Sequence, residues 1–339
     1  MLLGPVNGKK RLEFSSVFFF IGVKMIDFKT YEEQIEILKN RGMTIPNENF
    51  AKNKLQQNNY YNLINGYKEP FLQIGITPEQ YVKGMSFNEI YALQQFDKEL
   101  RLNLSRFLIL VERTFASILS HEFSRNYKNH DLDYLNIDNY NTKTYYDKTT
   151  QTTVLQSSLL ISELNRVLQT AISHNDKMIC HYYSHYGRIP LWVFINQLSF
   201  GTISKMYKQF LSRERDAIAI NLSKISEIQL FANDIENSLT ILVLLRNKCA
   251  HDQRIYDFNP SPMSIKPNAF LKKFFPLSNN ISSLFGAISC MSIFLKPNVF
   301  SSLIKTVRKQ ISQLFTQIHS IPTQFILDKM GIPQSFLGK

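Results

Sequence analysis

Apolar residues recur at helical spacing through most of this chain. The run YEEQIEILKN, residues 31–40, places Ile35, Ile37 and Leu38 among charges, and Arg41-Gly42 behind it reads as a helix C-terminus. After Pro46, the stretch NENFAKNKL reads as a second capped helix. NYYNLINGYKEPF, residues 59–71, is aromatic and Asn-rich and is broken by Gly66 and Pro70. Ser86 with Glu89 three residues on has the form of a capping box. The chain then runs to Tyr127 without Gly or Pro, which predicts one long amphipathic helix or two nearly collinear ones.

The following stretch, 129–153, is rich in Asn, Asp, Tyr and Thr and lacks periodicity, so it is expected to be a long surface insertion. Helices are expected again over 154–174, 177–186, about 191–211 and, as one element, 225–254. Beyond Pro260 the chain is punctuated by Pro, then helical over 280–294 and 299–320. No strand pattern emerges, and the fold class predicted is all-α. The divisions expected are a leader or upstream extension at 1–24, an N-terminal helical region at 25–85, a core at 86–258 carrying the insertion, and a basic C-terminal helical region at 259–339. Residues 1–24 place Lys9, Lys10 and Arg11 before a short apolar run, too short to cross a bilayer as a helix.

Composition agrees with a folded domain: 44% hydrophobic and 19% charged in 339 residues, with only 12 Gly and 12 Pro. The formal charge of +12 points to an anionic partner, nucleic acid or an anionic membrane surface. Residues 261–339 carry nine Lys or Arg against one acidic residue, Asp328. Three distant cysteines (Cys180, Cys249, Cys290) form no CxxC pair, so neither a disulfide framework nor a cysteine zinc cluster is expected, and a reducing cytoplasm is the simplest setting.

The most unusual chemistry lies in LLRNKCAHDQRIY, residues 244–256. On an ideal helix Asn247, His251 and Arg254 share a face, and Arg246 stands about 140° from His251. Guanidinium, carboxamide and imidazole together suit a phosphodiester: Arg binds phosphate oxygens bidentately, and His moves protons near neutrality. The same cations could merely complement the macrodipole at a helix C-terminus. No nearby carboxylate group suggests a Mg²⁺ site, so metal-free chemistry without a cofactor is expected.

Four blocks raise this motif above chance. EEQIEILKNRGMTI with NYYNLINGYKEPF, then FDKELRLNLSRFLILVERTFASILSHEFS, then PLWVFINQLSFGTISKMY, then LRNKCAHDQRIYDF follow one another between about 28 and 258. In that order they resemble the Abi-like (AbiD/AbiF-type) abortive-infection family, and Arg246-Asn247-Lys248-Cys249-Ala250-His251 resembles the R-N-x-x-A-H form of the HEPN ribonuclease motif. The insertion at 129–153 matches no block of that family.

The resemblance implies a HEPN-type helical bundle and a metal-independent endoribonuclease of a phage-defence or toxin-antitoxin system. It implies a homodimer with a composite site, restrained by a small non-coding RNA or another antidote. Arg246 would bind the scissile phosphate, His251 would act as general acid or base, and Asn247 would orient one of them. Glu112 would hold Arg246, with Arg254 in support.

Further RNA contacts are expected at Lys248, at Tyr60, Tyr61 and Tyr67, and at Lys272, Lys273, Lys305, Arg308 and Lys309, where each basic group is also readable as a solvated face. His181 and His185 could ligate zinc from one helix face, but no third or fourth ligand is fixed. Asp97 and Arg101 read as a local i, i+4 ion pair. Two other classes compete: a non-catalytic RNA-binding module using the same motif, and a membrane-surface protein using residues 11–24.

Overall fold

The computed structural model describes residues 27–127, 132–149, 151–260 and 282–337. Helix α1, Tyr31–Asn40, starts at a full capping box. The Glu33 amide donates to Thr30 Oγ1 (3.2 Å), and the Thr30 amide donates to the Glu33 carboxylate (2.8 Å). It stops where predicted, with Gly42 at φ +86°. Asn47 caps α2, Glu48–Asn58, by accepting from the Phe50 amide at 2.9 Å.

Helix α3, Phe87–Asn126, is continuous over 40 residues, about 60 Å at 1.5 Å per residue. It is the spine of the molecule. Leu93, Phe96, Leu100, Leu104, Phe107, Val111, Phe115, Leu119 and Phe123 recur every three or four residues and are buried.

The insertion departs from expectation. It carries an antiparallel hairpin, β1 (Thr144–Asp147) paired with β2 (Thr152–Leu155). Thr144, Tyr145 and Tyr146 in one strand and Thr152, Thr153 and Val154 in the other favour extended chain, and pairing satisfies the backbone groups that no helix takes up. Nor is the whole insertion a surface loop. Tyr134 and Tyr140 are buried; the Tyr134 hydroxyl donates to the Ile189 carbonyl (2.9 Å) and the Tyr140 hydroxyl to the Tyr134 carbonyl (2.6 Å).

Helices α4 (Gln156–Ser173), α5 (Lys177–Tyr186), α6 (Leu191–Phe194) and α7 (Phe200–Gln209) follow. The helix expected over 225–254 is shorter: α9 runs Ala232–Ala250, and residues 225–226 instead end a separate helix, α8, Ser212–Ser226, which the sequence pattern did not mark. Glu227 at φ +58° ends α8, and Asp234 Oδ2 accepts the Phe231 amide (2.9 Å) to start α9. The break lets Leu230 turn into the core.

All seven residues of α10, Leu284–Cys290, are buried, as expected of an element apolar on every side. It packs against α9, while α11, Pro297–Phe315, lies along α3. Before α12, Thr323–Met330, the buried Glu89 of α3 accepts from the His319 and Ser320 amides (3.0 and 2.9 Å) and the Ser320 hydroxyl (2.7 Å). The described C-terminal helices therefore share the core of α3. Among the described residues, no helix is long and apolar enough to cross a membrane.

Candidate nucleic-acid site at the end of α9

Leu239, Leu242 and Leu245 bury one face of α9 against the spine, so Arg246 emerges at the seam between the two helices. Its Nε stands 3.5 Å from Glu112 Oε2, the side chains being 37% and 21% exposed. The pair is therefore half-wet: it orients the guanidinium while leaving donors for a ligand. Asn247 and His251 are exposed one helical turn apart, and the His251 amide donates to the Asn247 carbonyl (3.0 Å). His251 is the C-cap of α9, and Asp252 turns the chain away at φ +51°.

That turn is held from below by residues read only as a local pair. The buried Asp97 Oδ1 accepts the Ile255 amide (3.0 Å) and the Tyr256 amide (2.6 Å), and Oδ2 accepts the Tyr67 hydroxyl (3.0 Å) and Arg101 Nη1 (2.6 Å). Arg101 also donates to the Gln253 carbonyl (3.2 Å) and to Asp252 Oδ1 (2.5 Å). Burial pushes the Asp97 pKa up, and the two amides and the guanidinium pull against it. Two side chains of α3 thus hold the chain at four positions, 252, 253, 255 and 256, all just beyond His251. The sequence carried one signal for this. Asp97 and Arg101 sit among Phe96, Leu100 and Leu104, on the buried side of an amphipathic helix where an ordinary surface pair would not stand.

Several expected contacts serve other purposes. Because α9 ends before it, Arg254 does not share the Asn247 and His251 face; it grips Asp257 with two bonds (2.9 and 2.6 Å) and the Gly66 carbonyl. Tyr67 is buried on Asp97 and offers no ring to a base, Tyr60 is half-buried, and Tyr61 is exposed. Lys248 is half-buried. Lys305 and Arg308 line an apolar groove with Phe300 and Ile304, whereas Lys309 lines a different one with Gln95 and Glu99. Neighbouring residues on a helix point about 100° apart, so these three cations do not form one phosphate track. Lys272, Lys273 and residues 1–24 lie outside the described residues.

Cys249, inside the motif, is half-buried, and burial pushes its thiol up to about 11. The His181 and His185 rings lie 4.2 Å apart on exposed α5. Among the described residues, no three His, Cys, Asp or Glu side chains are grouped to hold a metal ion.

A family model described as Abi-like protein matches residues 53–257, which span Glu112, Asp97, Arg101 and the whole motif. No curated protein and no solved structure matches the chain.

Proposed function

The chain belongs to the Abi-like family of abortive-infection proteins, and from that premise we propose that it is a metal-independent endoribonuclease of bacterial phage defence, acting in the cytoplasm. The observation that carries this reading is the exposed end of α9, where Arg246 is braced by Glu112 and His251 caps the helix one turn beyond Asn247.

In the proposed reaction the 2′-hydroxyl loses its proton to a base, and its oxygen attacks the adjacent phosphorus. The bond to the 5′-oxygen breaks, and an acid protonates the leaving oxygen. The products are a 2′,3′-cyclic phosphate and a 5′-hydroxyl. Arg246 stabilises the charge that gathers on the phosphorane oxygens. The step needs one base and one acid, and each chain brings one His251 to this surface. A second copy facing the first across a two-fold axis supplies the other imidazole, so a homodimer is the proposed working form. A nuclease in the host cytoplasm requires restraint, and a small non-coding RNA bound to the same cationic surface is the proposed antidote.

Purified protein incubated with end-labelled RNA in EDTA is the direct test. Cyclic-phosphate ends that vanish in Arg246→Ala and His251→Ala support the reading. Tight RNA binding by the wild type without such ends would favour a non-catalytic RNA-binding module instead.

A further inference from the structure

Beside the α9 motif, a groove of about 1060 Å³ runs between α3 and the turn that contains α6. Its α3 wall extends from Ile109 to Arg125, about 24 Å along the helix axis. Glu112 lines one end, and Glu112 is the partner of Arg246. The groove therefore begins at the proposed scissile-phosphate site and leads away from it.

Its lining mixes apolar side chains, Ile109, Ile195, Leu198 and Ile203 among them, with two arginines and one tryptophan. Arg113 is exposed and makes no ion pair with any described residue. Arg125 is 54% exposed, with Nη2 on Glu122 at 2.7 Å. His121 is 74% exposed, and Nδ1 lies 3.0 Å from Glu122 Oε1, which leaves Nε2 to the groove side or to solvent. Across from them stands Trp192, the one tryptophan of the chain, 55% exposed although its neighbours Leu191, Val193, Phe194 and Ile195 are all buried. Asn196, one turn on, uses its Nδ2 on the Val193 carbonyl (3.0 Å) and the Trp192 carbonyl (3.3 Å), which leaves Oδ1 free to accept.

We propose that this groove is a binding site for a short single-stranded RNA segment adjoining the cleaved bond, with Trp192 as the stacking platform for an unpaired base. The inference rests on the ribonuclease reading for its substrate class and adds where the strand lies and in what form. Arg113 and Arg125 meet backbone phosphates, which carry most of the affinity and make it salt-dependent. The indole face takes a base, and Asn196 Oδ1 accepts from a 2′-hydroxyl or an exocyclic amine. Bases of a duplex are already covered by their neighbours and leave no face for Trp192. Two arginines against one glutamate give the lining a net positive charge, which suits a phosphate backbone.

Because Trp192 is the only tryptophan, its emission reports on the surroundings of this one side chain, in the groove and in the smaller cleft beside Arg188 that it also lines. The full-length His251→Ala variant, expected to leave RNA intact, is titrated in EDTA with an unstructured oligouridylate and with a duplex of equal length, while anisotropy of the labelled oligonucleotide follows total binding. The expected result is saturable quenching by the single strand and little by the duplex. Trp192→Ala should weaken single-strand binding about tenfold, with Trp192→Phe recovering part of it. Arg113→Ala, exposed and harmless to the fold, should weaken binding and flatten its salt dependence. Binding seen by anisotropy with unchanged emission would overturn the proposal. Emission that shifts with protein concentration but not with RNA would also overturn it, by assigning the groove to contact between two copies. Quenching without cleavage by the wild type would remove the nuclease reading and keep the groove; cleavage without quenching would do the reverse.

Discussion

Arg101 Nη2 on the long helix stands 2.5 Å from Asp252 Oδ1, the carboxylate directly after His251. The two residues are 151 positions apart in sequence, and the arginine is buried while the aspartate is largely exposed. A buried cation that reaches up to a residue beside the exposed histidine fixes where the α9 helix ends.

From this follows a prediction for Asp97→Asn. The substitution removes the anion that Arg101 and two backbone amides share, and breaking a buried pair from one side costs about 3–5 kcal/mol. The urea midpoint should fall accordingly. At a temperature where the variant remains folded, cleavage should still be slower, with kcat lowered more than KM is raised, because the turn behind His251 has lost its anchor. Wild-type turnover in a folded Asp97→Asn protein would show that the anchor only stabilises.

The motif residues should separate by size of effect. His251→Ala is expected to lower cleavage by about 10²–10⁴ and Arg246→Ala by about 10²–10³. Glu112→Gln should cost only about two- to fivefold, since a half-exposed ion pair contributes under about 1 kcal/mol. Single-turnover rates on one RNA, with circular dichroism as the folding control, give this order. A Glu112 effect as large as that of His251 would mean that the carboxylate acts on substrate.

Two nearby tyrosines should diverge. Tyr67→Phe loses the hydroxyl bond to Asp97 and should cost about 1 kcal/mol of stability with no change in RNA affinity. Tyr61→Ala, at an exposed ring, should leave stability unchanged. Denaturant melts and oligonucleotide binding on both variants check this.

Alkaline pH should destabilise the fold through its thiols. Burial raises Cys249 from 9.0 to about 11 and Cys290 from 9.0 to about 12. An unfolded chain releases those protons first, so the stability they contribute is whole below about pH 9 and is lost as pH rises toward 11 and 12. Cys249→Ser should flatten part of that slope in melts taken between pH 8 and 11. It should also leave cleavage near wild type, because a thiol kept protonated at neutral pH is not a nucleophile.

The sequence by itself determined the elements whose signals are local. The Ser86 and Glu89 pair marked the start of α3, and Arg41-Gly42 marked the end of α1. The unbroken three-and-four spacing of apolar residues from 87 to 126 marked α3. Such signals reach four residues, the span of one helical hydrogen bond.

Only the tertiary structure decided which distant groups share a buried site. It ended one helix at Ser226 and began the next at Ala232, with Leu230 buried in the core between them. It paired the 144–155 stretch into a hairpin and buried Tyr134 against Phe194 and Tyr140 against Phe123 and Phe210. It turned Arg254 onto Asp257 and made Asp97 and Arg101 the support of the residues beyond His251. A buried charge is tolerable only where partners converge on it; Arg101 is four residues from Asp97, but the other partners of Asp97 came from 30 to 159 residues away, beyond the reach of any local pattern.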